Sequence, residues 1–304
     1  MTDEHTPQNP TQARVDFERL VPTLRPKLHR YCARMTGSSV DGEDVVQEAL
    51  AKAFVALDAA TDIENVEAWM FRIAHNAALD FLRRRRRERD LPDVDDVLAD
   101  SPEDEHARAQ ASAAALTTFM RLAARQRSCV ILKDVLGYSI EEIGRLIDTS
   151  DMAVKAALHR GRARLRELSA EHEAPPPLSM ESAERARLQA YIERFNARDF
   201  EALRTLLAED VRLDLVGRLA LNGKAEVGNY FSNYARASQW RMSLGYADGR
   251  AAVLVSDSGQ RGAAAEYFVL LDWFDGEIST IRDFRYAGYV AETAVMVADT
   301  RVPN

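Results

Sequence analysis

The sequence has only two cysteines in 304 residues, Cys32 and Cys129, and no CxxC pair. Both stand inside apolar helical patterns, which excludes a disulfide framework or a cysteine zinc site and points to a reduced compartment. No run of 18 or more apolar residues occurs, and the first 20 residues carry Asp3, Glu4, Arg14, Asp16 and Glu18. A membrane span, a membrane partner and a secretory leader are therefore not expected, and a cytoplasmic location is. The six histidines, at 5, 29, 75, 106, 159 and 172, are dispersed and form no HExxH, so no metal is expected. No phosphate-cradling glycine loop occurs either: GRLALNGK at 217–224 lacks the required spacing, and its NGK reads as the start of the following helix. ATP-driven chemistry and a bound cofactor are not expected.

A net charge of −8 discourages phosphate binding on average, but the charge is partitioned. Residues 1–89 hold 14 basic and 14 acidic side chains, residues 90–110 one basic and eight acidic, and residues 111–170 ten basic and six acidic. Same-sign charge and prolines in DLPDVDDVLADSPEDEHA oppose packing, and Pro175, Pro176 and Pro177 favour an extended spacer. These joints divide the chain into an all-helical module at 13–89, an acidic linker at 90–110, a second all-helical module at 111–170, a Pro-rich linker at 171–180, an α+β domain at 181–292 and a tail at 293–304.

The first module shows three helical patterns, the second beginning near Asp41 with acids that suit the positive helix end. The third ends in Arg83–Arg87 and Arg89, six cations in seven residues, enough to neutralise several phosphates or simply to suit a negative helix end. In the second module, GYSIEEIGRLIDTSDMAVKAALHR reads as a helix-turn-helix. Ser139 caps the first helix with Glu142 three residues on, and Thr149 or Ser150 opens the second. Val154 and Leu158 then anchor it, with Ser150, Asp151, Met152, Lys155 and Ala156 nearest base edges and His159, Arg160 and Arg162 nearer phosphates. Spacing alone also fits an ordinary surface helix pair with a basic face.

The stretch GYSIEEIGRLIDTSDMAVKAALHRGRARLR resembles region four of the extracytoplasmic-function (ECF) sigma factors, over residues 112–169. DGEDVVQEALAKAF at 41–54 and AWMFRIAHNAALDFLRRRRR at 68–87 resemble region two of the same family. The resemblance implies a chain that binds bacterial RNA polymerase core and promoter DNA without being an enzyme itself. It implies an exposed docking face of Asp41, Glu43, Asp44, Gln47 and Glu48. It also places Trp69, Arg72, His75, Asn76, Asp80 and Arg83, Arg84, Arg85, Arg86 and Arg87 on the downstream promoter element. Trp69 fits a core position equally well, because one face of its helix must pack. The acidic linker is either a nucleic-acid mimic or a plain spacer.

From residue 181 the pattern changes to helices at ERARLQAYIERFNA, DFEALRTLLA and AEVGNYFSNYARA, interleaved with and followed by strands. The strands begin at VRLDLV and continue through RMSLGYA, AAVLVSD, AAAEYFVLLDWFDG and ISTIRDFRYAGYV, with Asp-Gly hairpin signals at 248–249 and 275–276. This order resembles the SnoaL-like cone fold shared with nuclear transport factor two and ketosteroid isomerases. Such a domain would draw on Asp210, Asp214, Glu266, Asp272 and Asp283, with Tyr230, Tyr234, Trp240, Tyr267, Trp273, Phe284 and Tyr286 as candidate lining. A pocket of Asp214, Tyr234, Trp240, Glu266 and Asp283 is the candidate, serving proton transfer, ligand sensing or packing alone. Intramolecular contact with the helical modules would make the domain a regulator in cis. The alternative is a DNA-binding regulator fused to a sensing or enzymatic domain.

Overall fold

The computed structural model describes residues 10–57, 63, 65–88, 116–170, 178–235, 239–257 and 264–299. The acidic linker at 90–110, Arg89 and the three prolines lie outside them. The chain forms two compact units, residues 1–174 and 175–304. The first is all-α and the second α+β, as the pattern of apolar periods predicts.

The first unit comprises α1 (Pro10–Thr36), α2 (Ser39–Ala56), α3 (Val66–Arg87), α4 (Leu116–Phe119), α5 (Ala124–Val130) with a π-helical continuation over Ile131–Val135, α6 (Ile140–Leu146) and α7 (Asp151–Ala170). Local chemistry sets the helix ends. Ser38 Oγ accepts from the Asp41 N–H at 3.2 Å to open α2, and Asn65 Oδ1 accepts from the Ala68 N–H at 2.9 Å to open α3. The two helical segments, separated in sequence by the acidic linker, share one apolar core that runs from Leu28, Val46 and Phe71 to Phe119, Ile131 and Leu158. Polar contacts reinforce it. Tyr31 Oη and Ser128 Oγ both meet His75 Nδ1, at 2.7 and 3.1 Å, and the Tyr138 hydroxyl donates to Glu67 at 2.6 Å.

The second unit comprises α8 (Ser182–Asn196), α9 (Phe200–Arg204), β1 (Leu207–Leu215), β2 (Leu219–Asn222), α10 (Lys224–Ala235), β3 (Trp240–Ala247), β4 (Arg250–Asp257), β5 (Tyr267–Phe274), β6 (Glu277–Asp283), α11 (Gly288–Ala291) and β7 (Met296–Ala298). The seven strands form one sheet in the order β2-β1-β6-β5-β4-β3-β7. Among the described residues only β1 and β6 pair in parallel, a crossover that places β6 between β1 and β5. Both Asp-Gly turns are present, with φ of 49° and 79° at Asp248 and Gly249 and of 50° and 83° at Asp275 and Gly276, the left-handed pair that a two-residue hairpin needs. Helices α8 and α10 cover the sheet, and Tyr191, Phe195, Val227 and Phe231 join Val211, Leu213, Val253 and Val269 in a second core. Two strands escape the sequence pattern. β2 falls in GRLALNGK, and β7 lies in the expected tail, held by Arg185, which ion-pairs with Asp299 just beyond it. The expected final strand ends at Asp283, where the chain turns into α11.

Candidate nucleic-acid interface

Helix α2 presents an acidic face narrower than the sequence suggests. Asp44 is exposed and Gln47 and Glu48 are half-buried. Asp41 and Glu43, expected on the same surface, are buried: Asp41 receives a hydrogen bond from Arg85 at 2.8 Å, and Glu43 ion-pairs with Arg25. The reason is packing. Gly42 sits against the backbone of Ala33 on α1, so that turn of α2 is drawn into the core and its neighbours need cationic partners. Glu48 bridges Lys52 at 2.7 Å and Arg84 at 2.8 Å. Burial pushes its carboxyl up, but the hydrogen bonds from Lys52 and Arg84 prevail and hold it below its usual value.

Helix α3 buries Met70, Phe71, Ala74, Ala77, Ala78 and Leu82 and leaves Arg72, Asn76, Arg83, Arg84 and Arg87 exposed. The steps from Arg72 to Asn76 and from Arg83 to Arg87 are each one turn, so these residues lie along the outer surface. Asp80 is half-buried and pairs with Arg83 at 3.1 Å; Arg85 is engaged by Asp41, and Arg86 is half-buried. Two expected promoter residues also make core contacts. Trp69 is half-buried, edge-on to Phe17 with ring centroids 6.3 Å apart, so it has a packing role. His75 points inward to Tyr31 and Ser128, and burial, aided by the charge of Arg83, pushes its imidazole down to about 4. It is neutral near pH 7, and its Nδ1 is held by the core rather than offered to a base.

The second helical segment contains the helix-turn-helix. Ser139 and Glu142 form the reciprocal cap, with hydrogen bonds of 3.2 and 2.7 Å. Asp148 takes φ of 51° in the turn, and the Thr149 N–H returns to Gly144 O at 2.9 Å. A Cβ at Gly144 would stand 2.8 Å from Thr149 O, so only glycine permits this closeness. Ser150 Oγ accepts from the Ala153 N–H at 3.3 Å and opens α7, whose Val154, Ala157, Leu158 and Leu165 are buried. Ser150, Asp151, Met152 and Lys155 are exposed, and His159 and Arg160 are half-buried. Ala156 is buried rather than next to a base edge, and Arg162 forms a two-pronged ion pair with buried Asp134, at 2.7 and 3.0 Å, rather than reaching phosphate.

One residue that sequence reasoning missed ties these helices together. Arg127 is 2% exposed and donates to the backbone oxygens of Met35, at the end of α1, and of Leu122. Burial, with the charge of Arg86, pushes its guanidinium down to about 10. Nothing in its basic, helical surroundings distinguishes it from a surface arginine.

Comparison with known proteins follows the same layout. Residues 20–88 match the model of Sigma-70 region 2, and residues 112–165 match that of Sigma-70, region 4. The ECF RNA polymerase sigma factor SigM of Mycobacterium tuberculosis is 32% identical over 155 residues, 51% of this chain and 78% of SigM. The chain belongs to the ECF RNA polymerase sigma factors. SigG of the same organism is 31% identical over 220 residues, 63% of this chain, and the match spans 59% of the length of SigG. The crystal structure of M. tuberculosis SigJ aligns with 88% of this chain and 96% of its own, at 19% identity and a TM-score of 0.33.

The second unit of this sigma factor carries its own cluster of polar groups, on a seven-stranded sheet covered by α8 and α10. At its centre, the Tyr230 and Tyr234 hydroxyls donate to Asp283 Oδ2 at 2.9 and 2.8 Å, and the Arg285 N–H donates to Oδ1 at 2.9 Å. Tyr267 Oη stands 3.3 Å from Tyr234 Oη, and the Arg285 guanidinium lies 5.4 Å from the Tyr234 ring and 5.1 Å from that of Trp240. Burial pushes the Asp283 carboxyl up, against the opposing pull of these hydrogen bonds. The structure thus gathers Asp283, Tyr234 and Trp240 from the expected pocket, joins them with Tyr230 and Tyr267 of the expected lining, and adds Arg285. It does not gather the other two: Asp214 is half-buried on β1 and Glu266 is exposed before β5, and neither side chain hydrogen-bonds to the cluster among the described residues. Among those residues no group of three or more His, Cys, Asp or Glu side chains could hold a metal, and no helix is long and apolar enough to cross a membrane.

Proposed function

We propose that this sigma factor binds the core of bacterial RNA polymerase and directs it to promoters, while its second unit modulates initiation in cis. Asp44, Gln47 and Glu48 form the docking face for a basic surface of the polymerase. Arg72, Asn76 and the arginine-rich end of α3 meet the downstream promoter element, and α7 meets the upstream element. The observation that carries this reading is α7 itself. Its buried Val154, Ala157 and Leu158 fix the rotation of the helix, so that Met152 and Lys155 project where a groove-entering helix needs them. Cations on α3 and α7 supply the sequence-independent attraction to DNA.

The chain performs no catalysis of its own. In support, Asp283 already accepts hydrogen bonds from two tyrosine hydroxyls and a backbone N–H, a network that favours packing over proton transfer to a substrate.

Run-off transcription with purified core polymerase and a genomic promoter pool tests the proposal. Specific initiation that requires this chain is the expected result. Duplex binding without any effect on core polymerase would replace the reading with a regulator that needs no polymerase.

A further inference from the structure

We infer that Met152 reads the 5-methyl group of a thymine in the upstream promoter element, an assignment that rests on the function proposed above. Met152 is 79% exposed, more than any other large apolar side chain among the described residues. Its position is not accidental to the helix. With Val154, Ala157 and Leu158 turned into the core, Met152, Lys155 and His159 follow one another at three- and four-residue steps along the opposite side. The polar neighbours of Met152 are engaged with the turn. Ser150 Oγ caps the Ala153 N–H at 3.3 Å, and Asp151 Oδ1 leans over Gly144, 3.2 Å from where a Cβ there would stand. Met152 and Lys155 are left as the tip that meets a base-pair edge first.

Among the groups that the four bases present in the major groove, the thymine 5-methyl is the only apolar substituent that protrudes from the base edge. A thioether side chain has no proton to donate, and its three rotatable bonds let it settle against a methyl group. Lys155, one turn along, supplies the donor for an adjacent guanine or phosphate. Single exposed apolar side chains are common on protein surfaces and carry no meaning by themselves. This one stands on the surface that the helix-turn-helix offers to the groove.

The test uses the full chain with core polymerase to select duplexes from a random pool, then replaces each thymine of the selected upstream element with deoxyuridine, one position at a time. At one position the replacement is expected to weaken wild-type binding about four-fold, the effect of one buried methyl group. Met152→Ala is expected to bind the thymine and uracil duplexes equally, and Met152→Leu to retain the preference. An unchanged unfolding curve for Met152→Ala shows that the loss is not one of folding. A wild-type chain indifferent to every replacement, an upstream element without thymine, or a Met152→Ala chain that still discriminates would each overturn the inference. If duplexes are selected by the chain alone and core polymerase has no effect, the proposed function fails, and the same scan on those duplexes still decides the role of Met152. Selection of no duplex at all overturns both.

Discussion

At the scale of single residues, polar groups that look alike in sequence separate by what surrounds them. Lys155 and Arg162 are both cations of α7, yet only Arg162 meets buried Asp134. Asp134→Ala leaves that guanidinium without its partner and should cost about 3 kcal/mol in urea unfolding, whereas Lys155→Ala should cost less than about 0.5 kcal/mol. Titration separates residues in the same way. His75 has a folded-state value of about 4, well below the ordinary imidazole value of about 6.5, so the native state binds fewer protons than the unfolded chain. Its contribution to stability is complete above pH ~6.5 and is lost as the pH falls toward 4. Replacing it with Gln should flatten that part of the stability profile of the first unit. Asp283 has the opposite sign. Its folded-state value is raised, so its contribution is complete below the unfolded carboxylate value of about 3.9 and is lost as the pH rises through the folded value. Asp283→Asn should remove that decline, as followed by thermal unfolding of the second unit at a series of pH values.

At the scale of elements, close approach explains how short helices hold their angles. α7 passes α5 at Gly161, where a Cβ would come within 2.7 Å of Val130 Cγ2. Gly161→Ala should therefore destabilise the first unit by about 1–3 kcal/mol. Adding Val130→Ala, which trims the opposing methyl groups, should make the double variant more stable than the sum of the two single changes. Additive costs in denaturant unfolding would show that the helix moves aside instead. Ion pairing also joins neighbouring elements. Glu48 of α2 holds Arg84 of α3, so the proposed docking face and the arginine-rich end of α3 share charges. The pair is half exposed, and its worth is no more than about 1 kcal/mol.

At the scale of the whole molecule, the two compact units are where the functional reading divides. Asp44→Lys combined with Gln47→Ala should abolish co-purification with core polymerase while leaving the unfolding curve of the first unit unchanged, because Asp44 is exposed and Gln47 only half-buried. Retained co-purification would remove the docking assignment. A chain ending at Glu173 separates the roles open to the second unit. Stronger run-off initiation marks that unit as an inhibitor and weaker initiation as a support, while unchanged output and unchanged core affinity would end the claim of regulation in cis.

Much of the architecture was legible because it depends on local order. Apolar periods of three to four residues, the Ser139 and Glu142 cap and the two Asp-Gly turns act within a few residues of chain, and each identified its element in the sequence. β2 and β7 were not legible. Four- and three-residue strands carry too little pattern, and they exist because β1 and β3 offer them an edge. The exposure of Met152 and Lys155 followed from the period of α7, since Val154 and Leu158 dictate the inward side, but the same period placed Ala156 outward and the structure buries it. What only the tertiary structure decided is which polar residues remain at the surface. Asp41, Glu43, His75, Arg127 and Arg162 belong to helices whose periodicity does not distinguish them from solvated charges. Each is drawn inside by a partner 10 or more residues away in sequence, because a buried charge or hydrogen-bonding group needs compensation that its own helix does not provide.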